Sequence, residues 1–365
     1  MRKTKHSISE EIKSGLPNVP SGCCVQLERI AQDYVLDNIR HQLATKNHLI
    51  SLLQDFQSTG EPLSLENFLA FARIPLTDIY KSSRKEGFMR LAAIAGCRKE
   101  FTEPDEKLIS RALPRFASFD DAEFCHFCLR VLSEPESIPQ ELPPLKDLYL
   151  KMLYFTFWDA SLEHGTAVAV IREKLSSLSR NPVLLGEVQE LIAYRLKNIR
   201  GRSLNNTFLF PCPLRVHAHY TRNQICAAFD MLMPTSLRQG VYQIKEKHCD
   251  LFFVTLNKSE KDYSPTTMYH DYSINDTLFH WESQSTTAAE SPTAQRYFNH
   301  RELRQHILLF VREYKEDTLG KMPYLFLGEA DYVSHEGSRP VSIVWRLRTP
   351  IPADFINVTN KLVNE

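Results

Sequence analysis

Near Leu214 the spacing of apolar residues changes, and that change limits which folds are open to this chain. Before it, apolar residues recur three and four positions apart, the period of a helix with one buried face. After it they alternate with polar residues or run continuously, as in strands. The expected class is therefore α+β, with an all-helical N-terminal half followed by a β-rich domain.

The helical half divides at its punctuation. Residues 1–20 are polar, carry Gly15, Pro17 and Pro20, and read as a flexible lead-in. Residues 21–132 hold a series of helices. Leu27, Ile30, Ala31, Tyr34, Val35, Ile39 and Leu43 share one helical face, and Leu49, Ile50, Leu53 and Phe56 continue into a second helix ended by Gly60 and Pro62. Ser64 has N-cap character ahead of Leu65, Phe68, Leu69 and Ala72. Thr77 suits the cap of a short helix through Ile79 and Tyr80. Phe88, Leu91, Ala92 and Ala95 predict another, with Gly96 just past its end. The run from Leu63 to Gly96 resembles a helix-turn-helix, with Lys81, Arg84 and Lys85 placed to touch phosphates at the start of its last helix. The bland alternative is a scaffold unit with a solvated charged face. Residues 133–145, rich in Pro and Glu, read as a linker. Residues 146–202 predict a three-helix bundle, seeded by Leu148, Met152 and Phe155, by Val168, Ile171 and Leu175, and by Leu184, Val188 and Leu191.

From 210 to 365 the pattern predicts many strands and few helices. LRVHAHY alternates, Thr221 caps a helix from Arg222 to Phe229, and LFFVTL, ILLFVREYK, PYLFLGEADYVSH and PVSIVWRLRTPIP read as further strands. The expected architecture is a mixed or antiparallel barrel, PUA-like or SRA-like.

The 365 residues carry 44 basic and 44 acidic side chains, and the balance holds in both halves, with 18 of each from Gly201 onward. Global charge thus offers no steering toward a polyanion, and any nucleic-acid contact must come from a local patch. The eight cysteines lack framework spacing, which suits reduced thiols in a cytoplasmic protein. Cys125-His126-Phe127-Cys128 matches CxxC, but no second pair exists to complete a zinc site, and it reads as core. The N-terminus has no apolar signal region, and no run approaches the length of a membrane span. No metal and no cofactor is expected.

The densest chemistry lies in Tyr269–Ser285, YHDYSINDTLFHWESQS. Aromatic rings with polar tips beside amide, hydroxyl and imidazole groups suit a site that reads a flat polar ligand such as a nucleobase. On this reading Tyr269, Tyr272 or Trp281 supplies a stacking face. His280, Gln284 and Ser285 bond a base edge, and Lys258, Arg296 and Arg312 contact phosphates. The bland alternative is a half-buried antiparallel strand, with Trp281 and His280 as satisfied core residues. Hydrolytic readings rest on less. Glu313-Tyr314-Lys315 matches the ExK half of a metal-dependent nuclease, with Asp250 or Asp271 as the second acid. His280, Asn299 and His300 suggest a His-metal nuclease without its spacing. Asp271 or Asp276 with His280 and Ser283 or Ser285 forms a triad on paper, without a nucleophile elbow.

The stretch from Thr255 to His300, then LLFVREYK, YLFLGEADYVSHEGSRPVSIVWRL and PIPADF, resembles the uncharacterised C-terminal domain of bacterial DEAD/DEAH-box superfamily 2 helicases of the restriction or phage-defence type. LPNVPSGCCVQLERIAQDYVLDNI and LSLENFLAFARIPLTDIYK are similar to the segments that follow the helicase core in those proteins. The resemblance implies DNA, modified duplex included, as a ligand and a helicase motor as a partner; with no apolar span in the sequence, no membrane partner is expected. The motor's own motifs are missing: the sequence has no GxxxxGK[ST], no DEAD/DEAH box and no HxK pair of a phospholipase-D nuclease. The expectation is a non-catalytic, DNA-targeting portion of such a system, from a split gene, a remnant or a fragment. A docking subunit for a separately encoded motor is the alternative.

Overall fold

The computed structural model describes residues 45–199, 201, 203–233, 240–257 and 271–360. The expected helix over Leu27–Leu43 lies outside them. The chain forms two compact units, the smaller from residues up to Ile79 together with Phe88–Glu100, and the larger from Tyr80–Gly87 and Phe101 onward. The architecture is α+β.

In the smaller unit, α1 (Lys46–Gln57), α2 (Leu65–Ala72), α3 (Leu76–Ile79) and α4 (Phe88–Ile94) follow the expected pattern. Ser64 caps α2, its hydroxyl accepting from the Asn67 N–H at 3.2 Å. Phe68 meets Phe56 edge-on at 5.9 Å and packs on Phe88 at 5.5 Å, so one aromatic cluster joins three helices. Gly96 (φ +79°) ends α4 in a Schellman turn, with Cys97 N–H donating to the Ala92 carbonyl and Gly96 N–H to that of Ala93. The helix-turn-helix expectation needs correction. Lys81, Arg84 and Lys85 are not on the last helix, which begins only at Phe88. They belong to Tyr80–Gly87, a segment of the larger unit. There the Tyr80 hydroxyl donates to the buried Glu187 carboxylate at 3.1 Å, and the Ser82 N–H donates to the Thr318 carbonyl at 2.9 Å.

The larger unit opens with α5 (Glu106–Ala117), α6 (Ala122–Ser133), α7 (Pro144–Phe157), α8 (Ala167–Ser177) and α9 (Pro182–Lys197). The Pro/Glu-rich stretch between α6 and α7 joins helices that pack together and does not divide the unit. It holds a 3₁₀ turn, Pro135–Ser137, and Glu136 accepts from the Ser179 hydroxyl at 2.9 Å. Helix α7 is buried along its full length from Leu148 to Phe157, because α10 (Arg222–Ala228) covers the side its neighbours leave open. The Gln224 amide donates to the Thr156 hydroxyl at that contact. Cys125 and Cys128 on α6 are fully buried, and burial pushes the Cys125 thiol up to about 12. They are core, as their surroundings in the sequence predict.

The sheet contains β1 (His219–Tyr220), β2 (Val241–Ile244), β3 (Cys249–Thr255), β4 (Tyr272–Ser273), β5 (Leu278–Glu282), β6 (His306–Arg312), β9 (Tyr324–Glu336) and β10 (Ser342–Leu347). A separate ribbon joins β7 (Glu316–Asp317) to β8 (Gly320–Lys321). The order is β2-β3-β6-β9-β10-β5-β4, with β1 added on β9. It is a mixed sheet: β3 and β6 run parallel, the other pairs antiparallel. Among the described residues the pairings run open from β2 to β4 and close no ring.

One face carries Phe252, Phe279, Trp281, Leu309 and Trp345 against Tyr297 of α11 (Pro292–Phe298) and Phe355 of α12 (Ala353–Asn360). The opposite face of β3, β6 and β9 is covered too. Phe253, Phe310 and Phe326 stack there, Arg222 of α10 lies over the Phe253 ring at 4.7 Å, and Val216 packs on Gly328. Burial on both sides is why these strands read as continuous apolar runs. A carboxylate pair between α5 and α6 fixes the sheet to the helices. Asp120 accepts from the His219 backbone N–H at 2.8 Å and meets its ring Nδ1 at 2.6 Å, while Asp121 accepts from the Tyr220 hydroxyl. No described helix is long and apolar enough to cross a membrane.

Candidate nucleic-acid interface

Among the described residues, the layer covering β3, β6 and β9 stops at β10. In β5, Leu278, His280 and Glu282 are half-exposed while Phe279 and Trp281 are buried, and β10 alternates in step with it. The register sets Tyr272 opposite His280 and His280 opposite Val344, so three strands contribute one outward row. Tyr272 and His280 stack with centroids 4.7 Å apart and planes 16° apart. Arg346, exposed, stands on the same outward face two residues along β10 from Val344. Among the described residues the Arg346 side chain has no hydrogen bond or ion pair. Exposed Ile274 lies in the turn between β4 and β5.

The candidates named from sequence fall into three groups. Lys258 and Tyr269 lie outside the described residues. Tyr272 and His280 share the open face, with Gln284 exposed and Ser285 half-exposed just beyond the end of β5. Trp281, Arg296 and Arg312 are committed elsewhere. Trp281 follows His280 on a strand and so points to the other face, where its ring packs on Phe252 at 4.3 Å and meets Tyr297 edge-on. That corrects its assignment as a stacking platform. Arg296 holds the buried Asp250 carboxylate through two bonds of 2.9 Å, and Gln305 adds a third. Arg312 donates to the Thr255 hydroxyl and the Met322 carbonyl and lies over the Tyr324 ring at 4.4 Å.

The hydrolytic readings lose their geometry. Asp250 pairs with Ile307 in the parallel β3–β6 ladder, and Glu313 is six residues farther along. At ~3.3 Å per residue the two acids are about 20 Å apart. Asp271, just before β4, accepts the Glu282 N–H at 3.0 Å. Asp250 does not reach Glu313 and Lys315 to share a metal. The imidazole of His300 is buried, its Nδ1 facing the Gln305 carbonyl and its Nε2 accepting from the Tyr332 N–H. Both ring nitrogens are thus taken, and burial holds the ring's pKa below the ordinary histidine value. Ser283 is buried with its hydroxyl accepting from the Val341 N–H, which removes it as a nucleophile. Among the described residues, no three His, Cys, Asp or Glu side chains are grouped to hold a metal ion.

Residues 214–358 match the family model of a domain of unknown function (DUF3427). No curated protein matches the chain. The matched span runs from just before β1 into α12 and contains the whole open face. Two features in it were not singled out from the sequence. Val344 and Arg346 complete the outward row, and the alternation in SIVWRL carried that signal. A charged network joins His306 to Glu329 at 2.7 Å, while Arg348 bridges Glu329 and Asp331 and Arg301 also holds Asp331. Burial raises the Asp331 pKa, but the bonds from Arg348 and Arg301 outweigh it and leave a net lowering. Contacts this mutual tie β9 to β6 and to the end of β10.

Proposed function

We propose that the chain is a non-catalytic nucleic-acid recognition module, the DNA-targeting portion of a helicase-type restriction or defence system acting in the cytoplasm. The observation that carries this reading is the Tyr272–His280 stack on the outward face of β4 and β5, with Arg346 beside it. Two π-systems held parallel by strand register form a platform for a base, with the Tyr272 phenol beside it. The resemblance of the sequence to the region that follows helicase motors supplies the context. The sequence lacks the motifs of a motor, so the recognition role is assigned without ATP hydrolysis.

The test is fluorescence anisotropy of labelled DNA with the full chain and its Tyr272→Ala and His280→Ala variants. Stacking on an aromatic side chain contributes ~1–3 kcal/mol per base, so each variant should weaken binding by about tenfold or more. Both side chains are half-exposed, and the variants should keep the parent's thermal transition within a few degrees. Binding unchanged in both variants would remove the open face as the site.

A further inference from the structure

We propose that the ligand of this face is an unpaired base in a single strand, held by stacking and not by phosphate charge. This deepens the nucleic-acid reading above and rests on it. The first reason is charge. Strands β4, β5 and β10 contain one Lys or Arg between them, Arg346. Glu282 on β5 and Glu336 at the exposed end of β9 oppose it. Duplex DNA presents a charge about every 1.7 Å, and binding it needs several cations placed to displace counterions. This face offers one. Arg296 and Arg312 would have raised the number, but each is already bonded within the fold.

The second reason is the direction of the stack. Tyr272 and His280 stand opposite each other on antiparallel strands with nearly parallel planes, so their stacking axis runs across the strands. Strand β4 is the last strand of the described sheet, so no described strand pairs beyond Tyr272, and α12 contacts β4. Only a base with a free π-face can extend such a stack. In a duplex both faces of every internal base are covered by its neighbours, whereas a single strand or an extruded nucleotide exposes them.

Salt dependence separates this proposal from the reading it rests on. Binding of a labelled oligothymidylate, an oligodeoxyadenylate and a mixed-sequence duplex is measured between about 50 and about 300 mM salt. The expected result is a preference for single strands, with log K against log salt falling at a slope of about −0.7 or less, the value for one phosphate contact. Tyr272→Ala should reduce single-strand affinity on the order of ten- to a hundredfold, with Tyr272→Phe close to the parent. Arg346→Ala should flatten the slope while leaving most of the affinity. A preference for the duplex with a several-fold steeper slope, still sensitive to Tyr272→Ala, would overturn the single-base inference and keep the face as the site. Binding indifferent to Tyr272 and His280 in every form, or absent from every form, would overturn both.

Discussion

At the scale of single residues, the larger unit is held by buried polar groups whose partners lie far away in sequence. Asp250 is fully buried and takes three bonds from Arg296 and Gln305. Removing one member of such a pair leaves the other charge without its partner, so Asp250→Ala should destabilise the fold by about 3 kcal/mol. The midpoint of urea unfolding checks it. Arg296 is one-fifth exposed, which places the cost toward the low end of the usual range for buried pairs. Two imidazoles, the buried His300 and the half-buried His217, set a pH dependence. Burial lowers the pKa of His300 and of His217, so both take up protons less readily in the folded state than in the unfolded chain. The stability they contribute is present above the unfolded value of about 6.5 and is lost as pH falls below it, where the unfolded chain binds more protons. Urea midpoints should therefore drop from about pH 7 to about pH 5, and His300→Asn should make that decline shallower. A decline as steep in His300→Asn as in the parent would contradict this assignment.

At the scale of elements, alternation is what the sequence states most plainly, and it decides the candidate site. Adjacent residues of a strand face opposite ways, so His280 and Trp281 cannot both serve one surface. The strand pattern FHWE already contained that exclusion, and the buried run LFFVTL foretold a strand covered on both faces. What local pattern could not give was the pairing partner. Nothing near Arg296 signals that its guanidinium is taken by Asp250, and nothing near Tyr272 signals that Val344 and Arg346 complete its row. Those facts depend on register between strands brought together by the fold. The switch from helical to strand period at Leu214 was legible for the same reason that alternation was: it is local. Gly328 gives a test at this scale. It adopts φ +89° in β9, and a Cβ there would stand 3.3 Å from both methyls of Val216. Gly328→Ala should combine backbone strain with overpacking and cost about 1–3 kcal/mol, read as a lower thermal midpoint.

At the scale of the whole molecule, charge is balanced overall, and Arg296 and Arg312, two of the basic side chains expected to contact phosphates, are bonded within the fold. On the proposed function, nucleic acid would be found through a small surface of particular shape, not through a broad electrostatic field. Lys81, Arg84 and Lys85 represent the competing account, a basic patch that touches backbone phosphates. Photo-crosslinking of a thymine-containing single strand to the full chain, with the attached peptide identified by mass spectrometry, decides between them most directly. Crosslinks on the peptide that contains Tyr272 and His280, lost in Tyr272→Ala, are the predicted result. Crosslinks confined to the peptide around Lys81–Lys85, and unchanged in that variant, would contradict the account.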